Sequence, residues 1–344
     1  MRTGSVVAAG LVVGAALDRV FGDPRRGHPV AGFGSAAQAL EKVTYRDGRG
    51  AGVVHEVLLV GAVAGFGVGA RRAVREPRRA GLDRSHTAGM ALGGGPNAEA
   101  GSGRSGAGRA VGEILLTAAA TWTVLGGTTL ARTGREMADR LEAGDVAGAR
   151  ELLPSLCGRD PEFLDADGLA RAALESIAEN TSDATVAPLF WGAVAGVPGL
   201  LAYRAINTLD AMVGYRNERY RRFGWAAART DDVANLGPAR VAGVVTTVLA
   251  PVVGGRPADA WRAWRRDGGK HPSPNAGVAE ASMAGALGVR LGGLTQYQHG
   301  IEMRPTLGDG PAPRVRDLRR AVRLSEAVQL ATVLAAAAVA FTRR

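Results

Sequence analysis

Uncharged apolar runs occupy residues 5–17, 57–70, 114–131, 184–203, 241–255 and 327–342, and the segments between them are rich in Arg and acids. Runs 114–131 and 184–203 reach the roughly 18-residue length a helix needs to cross a bilayer. The shorter runs span if terminal Arg side chains snorkel or polar groups pair, and otherwise pack as buried helices. The pattern predicts an all-α chain, a polytopic membrane helical bundle forming one domain over residues 1–344. Run 184–203 carries Pro188, Gly192, Gly196, Pro198 and Gly199. Proline frees backbone groups that lipid does not satisfy, so this run is expected to be broken or re-entrant and to line a cavity, with polar loops completing a site; a kinked, packed helix is the plainer alternative. Gly192 and Gly196 also have the spacing for close helix contact. Ser5–Leu17, after Arg2, reads as a signal peptide or as an uncleaved first helix. The apolar runs that follow favour the helix.

A formal net charge of +10 and a pI of about 10.7 raise the question of nucleic acid. No zinc-finger, RNA-binding or basic heptad pattern accompanies the charge, so no nucleic-acid partner is expected. Residues 71–110 hold eight Arg and three acids, which is half the net charge, and a cytoplasmic basic loop beside a membrane explains that better. The part from 85 to 109 is Gly/Ser/Ala-rich and aperiodic, so 72–110 is expected to be a basic, disordered loop with His86 a bystander. Cys157 is the only cysteine, which excludes an intrachain disulfide and a cysteine-rich zinc site.

The chemistry concentrates in three patches. In ESIAENTSDATVAPLFW, Glu175, Glu179 and Asp183 follow at i, i+4 and i+8 on one helical face, with Asn180 among them. Like charges at that spacing repel unless a cation compensates, so these three are candidate ligands for Mg²⁺ shared with substrate phosphates; a solvated acidic face is the alternative. In NTLDAMVGYRNERY, Asn207 and Asp210 share a face, and Tyr215, Arg216, Asn217, Glu218, Arg219 and Tyr220 follow a turn at Gly214. Arg216 and Arg219 are candidate clamps on phosphate or carboxylate, against a reading as interfacial anchors. Asp231 and Asp232 come next, Asp232 also suiting a helix cap. In KHPSPNAG, Lys270 is a candidate phosphate contact and His271 a candidate acid or base. Ser273 and Asn275 offer a hydroxyl and an amide, and Glu280 sits beyond; an ordinary helix-entry turn is the alternative. His28 lies in a second His-Pro pair, in GDPRRGHPV, while His55 and His299 read as structural.

No phosphate-binding loop, H-E-x-x-H or nucleophile elbow occurs. Asp167-Gly168-Leu169-Ala170-Arg171 echoes the opening of the membrane CDP-alcohol phosphotransferases, but it is one residue short and the later positions do not follow.

The patches GDPRRGHPV, ESIAENTSDATVAPLFW, AINTLDAMVGYRNERYRRFGWAAARTDDVAN and KHPSPNAGVAEASMAGALGVRLGG, in this order, resemble the cobalamin-biosynthesis membrane family of CobD/CbiB type, the adenosylcobinamide-phosphate synthases. Departures are the 85–109 insertion and Thr185-Val186. The resemblance implies a multi-pass protein of the bacterial cell membrane. It would join a propionate of adenosylcobyric acid to aminopropanol or its phosphate, with ATP and Mg²⁺. Glu175, Glu179, Asp183, Asp210, Lys270 and His271 would then be the catalytic set and the other polar candidates would bind substrate. Other cobalamin-pathway enzymes or a second copy are conceivable partners. A transporter or corrinoid carrier, a non-catalytic scaffold and a CDP-alcohol phosphotransferase remain as rivals. Topology poses a conflict. The basic loop belongs in the cytoplasm, yet if every run spans, the acids fall on the opposite side from it.

Overall fold

The computed structural model describes residues 2–24, 27–76, 98–297 and 300–343. The chain forms α1 (Thr3–Phe21), α2 (Pro29–Thr44), α3 (Arg49–Arg75), α4 (Ala98–Val124), α5 (Gly127–Glu142), α6 (Val146–Leu152) and α7 (Ala166–Thr181). It continues through α8 (Ala187–Val213), α9 (Tyr220–Phe223), α10 (Trp225–Ala234), α11 (Leu236–Leu249), α12 (Pro257–Asp267), α13 (Ala276–Leu287), β1 (Leu291–Tyr297), β2 (Gly300–Leu307) and α14 (Val315–Thr342). Among the described residues six helical stretches are long and apolar enough to cross a membrane: Thr3–Phe21, Arg49–Arg75, Gly106–Glu142, Ala166–Val213, Leu236–Val253 and Val315–Thr342. Each contains most or all of one apolar run of the sequence. The protein is a multi-pass helical membrane protein.

The two largest apolar cores among the described residues mark two storeys. The membrane storey is α1, the end of α4, α8 and the C-terminal half of α14, packed around Leu11, Val124, Leu189, Leu200 and Ala336. Gly10 and Gly14 let α1 lie directly on α4: a Cβ built on either would stand 2.4 Å from the Cβ of Thr117 or Thr121. The second storey is a cap of α5, α7, α11, α13 and the N-terminal half of α14 around Met137, Leu169, Ile177, Met283 and Leu318. Ala242 and Ala250 of α11 belong to this second core, so its inner face serves the cap.

Run 184–203 is broken, as its prolines and glycines predict. A turn of π-helix over Ser182–Val186 joins α7 to α8, and inside α8 Gly196 takes φ 65° and ψ −147°, two residues before Pro198. The chain reverses there. The Tyr203 hydroxyl donates to the Asp183 carbonyl at 3.2 Å, whereas twenty residues of straight helix would separate those levels by about 30 Å. The tip of this hairpin meets Arg343, whose guanidinium donates to the Ala193 carbonyl at 2.7 Å and to that of Val194, occupying carbonyls that the break leaves without helical partners. The run thus re-enters and returns to the side it left, and its two feet, near Asp183 and Asp210, share the rim between the storeys. Arg71–Arg75 stand at the far end of α3 from that rim, near the hairpin tip.

Two features depart from the sequence reading. Of the segment 72–110 expected as a loop, Arg72–Arg75 complete α3 and Ala98–Ala110 open α4, helix propagating backward from the apolar Val111–Val124; residues 77–97, with His86, lie outside the described residues. His299 lies outside them too. A two-stranded antiparallel hairpin, β1 against β2, interrupts the helices. Arg171 holds it to α7, donating to the carbonyls of Gly292 at 3.2 Å and Leu294 at 2.8 Å. This gives the D-G-L-A-R stretch a packing role.

In a Cys157→Ala background, single cysteines at the exposed positions Phe163 and Ala211 should react with an impermeant maleimide from one side of sealed vesicles, and one at Ala195 from the other. Labelling of 163 and 211 from opposite sides would contradict the reversal.

Candidate functional site

Glu175, on α7, is buried in the cap just above the rim. Arg159 pairs with it, Arg304 of β2 donates to it at 3.0 Å, and the Gly292 N–H donates at 2.8 Å. Arg304 also donates to Glu280 of α13 at 2.9 Å and contacts His271 Nε2. One guanidinium therefore ties α7, α13 and the KHPSPN loop to the β-hairpin. Burial drives the His271 imidazole down to about 4, with Arg304 adding to the effect. Its Nδ1 accepts from the Ser273 N–H at 3.0 Å and lies 3.2 Å from the Ser273 carbonyl. Both ring nitrogens are thus engaged within the protein, Nε2 against Arg304. Burial pushes Glu280 up to about 8 against the pull of Arg304, and its Oε2 has no partner. The nearby Glu175 and Glu179 charges add to the rise.

The second group lies at the feet of the hairpin. Asp183 feels the like charges of Asp231, Glu179 and Asp210 and the opposing charge of Arg204. Asp231, on α10, accepts from Asn235 at 3.0 Å and Asn207 at 3.4 Å, and the Tyr203 hydroxyl donates to Asn235 at 2.9 Å. Burial raises Asp231 to about 6; the Asn235 and Asn207 hydrogen bonds oppose the rise, and Asp232 and Glu179 add to it. Asn275 closes the ring, donating to the Asp232 carbonyl at 2.7 Å and accepting from Arg240 at 2.8 Å. Glu179, Asn180, Asp183, Asn207, Asp210, Asp231 and Asp232 all keep some exposed surface. Asn180 donates back to the Ser176 carbonyl at 3.0 Å, and Ser273 accepts at the start of α13 from the N–H groups of Asn275 and Ala276.

The three patches therefore converge, with exceptions. Tyr215, Arg216, Asn217 and Glu218 form an exposed turn. Arg219 donates to Glu41 at 2.8 Å and covers the Tyr45 ring at 4.2 Å, while the Tyr220 hydroxyl donates to Glu41 at 3.1 Å. Arg219 and Tyr220 thus dock the turn onto α2, and Arg216 stays exposed on it. Lys270 is about half exposed and pairs with Asp267 at 2.8 Å, on the outer side of its loop. Against its burial, hydrogen bonds from Arg266, Lys270 and the Gly308 N–H hold Asp267 well below the carboxylate range. His28 caps α2, accepting from the Val30 N–H at 3.1 Å, and lines a cleft of about 480 Å³ with Asp23, Gln38, Arg204 and Thr208. Arg204 links that cleft to Asp183. Glu175, Glu179 and Asp183 share a helical face, but Glu175 is spent on two arginines. No three His, Cys, Asp or Glu among the described residues are grouped to hold a metal ion.

Sequence reasoning missed Glu56, Arg159, Arg204 and Arg304. Glu56 carried one faint signal, an acid at the head of an apolar run. The arginines carried none among forty.

A family model described as CobD/Cbib protein matches residues 11–325. The cobalamin biosynthesis protein CobD of Mycobacterium tuberculosis is 55% identical over 337 residues, covering 98% of this chain and 97% of its own. That of Geobacter metallireducens is 40% identical over 336 residues, 96% of each chain. That of Chromobacterium violaceum is 39% identical over 320 residues, 91% of this chain and 90% of its own. No solved structure matches the chain.

Replacing Arg304 by Met strands Glu280 and leaves Glu175 with Arg159 as its one cation, and should cost about 3–5 kcal/mol, whereas Lys270→Ala, at an exposed pair, should cost under about 1 kcal/mol. Denaturant unfolding of the detergent-solubilised protein checks both. Equal losses would contradict the linking role of Arg304.

Proposed function

The chain belongs to the CobD/CbiB family, and we propose from that membership and the rim geometry that it is an amide-forming ligase of cobalamin biosynthesis in the bacterial cell membrane. It joins a propionate of adenosylcobyric acid to (R)-1-amino-2-propanol or its O-phosphate, using ATP and Mg²⁺. The observation that carries this reading is the gathering of carboxylates without matching cations, from α7, α8 and α10, at the feet of a re-entrant hairpin.

A carboxylate and an ammonium at neutral pH form a salt, not an amide, so the carboxylate has to be activated. ATP with Mg²⁺ supplies that activation when bound. The residues fit such a group: Mg²⁺ keeps several waters and needs only one or two protein carboxylates beside phosphates, so no preformed cage is required. Glu179 and Asp183 are the acids placed to hold it. Glu175, one of the three metal ligands expected from sequence, acts instead as the anchor of Arg159 and Arg304. Arg204, with an unpartnered Nε between Asp183 and the His28 cleft, is placed to meet an anionic group of either substrate. Asp231, set by Asn207 and Asn235, takes the proton that the ammonium gives up before the amine attacks. The half-buried position of these acids at the rim limits water and protects the activated acid. Carboxylates gathered at one end of the bundle, not strung along it, favour chemistry over passage of a solute.

Purified protein given adenosylcobyric acid, aminopropanol phosphate and ATP·Mg²⁺ should form the amide with one ADP per turnover. Release of CMP in a cytidine-dependent reaction, or no product, would remove the reading. Glu179→Gln and Asp183→Asn should each lower turnover at least ~10²-fold, with Lys270→Ala changing it less than about fivefold. Asp231 acts only when deprotonated, and its pKa is raised to about 6. Activity should therefore be present above that value and fall as pH drops through it. A flat profile between pH 5 and 7 would exclude Asp231 as the base.

A further inference from the structure

Glu56 lies on α3 at the level of the rim, 5% exposed, and neither carboxylate oxygen has a hydrogen-bond partner. A carboxylate withdrawn from water without a partner costs enough that folded chains seldom retain one idly. The charges acting on it are those of Asp210 on α8 and Asp231 on α10, two further carboxylates. α3 packs against both helices. Its neighbour His55 is locked by Thr44 at 2.9 Å and by the Phe223 ring at 5.1 Å, which fixes the phase of α3 at this point. The charges acting on Asp210 are again acids: Asp231, Asp232 and Glu179. Arg204, the nearby cation, acts on Asp183 and Asp23 instead. Arg229 pairs with Asp232 at 3.0 Å, but among the described residues no ion pair is formed by Glu56, Asp210 or Asp231, so this corner of the site holds negative charge without a built-in counter-charge.

We propose that Glu56, Asp210 and Asp231 form the pocket for the ammonium group of the amine substrate, an inference that rests on the ligase reading above and gives that site its amine half. A metal ion fits the pocket less well. Mg²⁺ demands oxygens at about 2.0–2.1 Å in near-octahedral array, and without a phosphate beside it here it would meet the acids largely through its own waters. An alkylammonium offers three hydrogens on a rotatable head and bridges acceptors that stand further apart. The arrangement also serves the reaction. A carboxylate already in contact with –NH₃⁺ takes one proton, leaving –NH₂ and a carboxylic acid; the freed lone pair then forms the C–N bond to the carbon of the activated propionate as that carbon's C–O bond to its phosphate leaving group breaks, and the second N–H proton passes to the departing phosphate. Asp231 accepts the proton, while Glu56 and Asp210 keep the nitrogen in place.

The test is calorimetric titration of the full chain in nanodiscs with 1-amino-2-propanol, with uncharged 1,2-propanediol, and separately with Mg²⁺·ATP. The amine should bind and the diol should not. Glu56→Gln and Asp210→Asn should each weaken amine binding at least about tenfold, the loss expected for one charge-assisted hydrogen bond, and leave Mg²⁺·ATP affinity within about twofold. Without ligand, Glu56→Gln should melt no lower than the parent, because it removes an unpartnered charge; failure of that variant to fold would contradict the proposal by showing a structural role. Equal binding of amine and diol, or a Glu56→Gln loss confined to Mg²⁺·ATP, would overturn it. Amine binding that depends on Glu56 in a protein that makes no amide would leave the pocket standing and remove the ligase. Amide formation with amine affinity indifferent to Glu56 would do the reverse.

Discussion

The arrangement depends on one reversal of the backbone. Gly196 adopts a positive φ, Pro198 withholds its N–H, and a segment long enough to cross the membrane folds back instead. An L-residue with a Cβ would be strained at Gly196. The tip is held at Arg343 and the two feet are held together at Tyr203 and Asp183. Acids that a straight helix would place on opposite faces of the bilayer thereby meet at one rim. The π-helical turn at Ser182–Val186 directs the first arm downward at the point where the polar face of α7 ends.

Charge is then settled in two ways on either side of that rim. In the cap, Glu175 and Glu280 share Arg304 and Arg159, so removing one member strands the others, and this group supplies rigidity. At the feet of the hairpin, Glu56, Asp183, Asp210 and Asp231 outnumber their cations. Amide donors and a tyrosine orient them without neutralising them. Stability given up at such a place is the usual mark of a site that awaits a charged ligand. Glu179 stands between the groups, acted on by the arginines above, and itself acting on Asp183 and Asp231 below.

Much of the frame was legible in the sequence. The six apolar runs correspond to the six long helical stretches, and the prolines and glycines of run 184–203 foretold its break, because backbone chemistry is written locally. The i, i+4, i+8 spacing of Glu175, Glu179 and Asp183 placed them on one face, but periodicity says nothing about what faces them, so the arginines that occupy Glu175 went unseen. Arg304 was hidden twice, as one Arg among forty and on a β-hairpin that a helix-dominated pattern concealed. Tyr215–Tyr220 misled for the opposite reason: a dense polar cluster reads alike whether it lines a site or, as here, docks on Glu41 and Tyr45. Glu56 needed the packing of α3 against α8 and α10, a long-range contact with no local trace.

Pulsed dipolar spectroscopy between spin labels at positions 183 and 206, in a Cys157→Ala background, tests the reversal most directly. The two arms packed side by side predict a separation of about 10–20 Å, set by interhelical packing. A straight helix would hold the labels roughly 35 Å apart, and that distance would contradict both the re-entrant hairpin and the convergence of acids that follows from it.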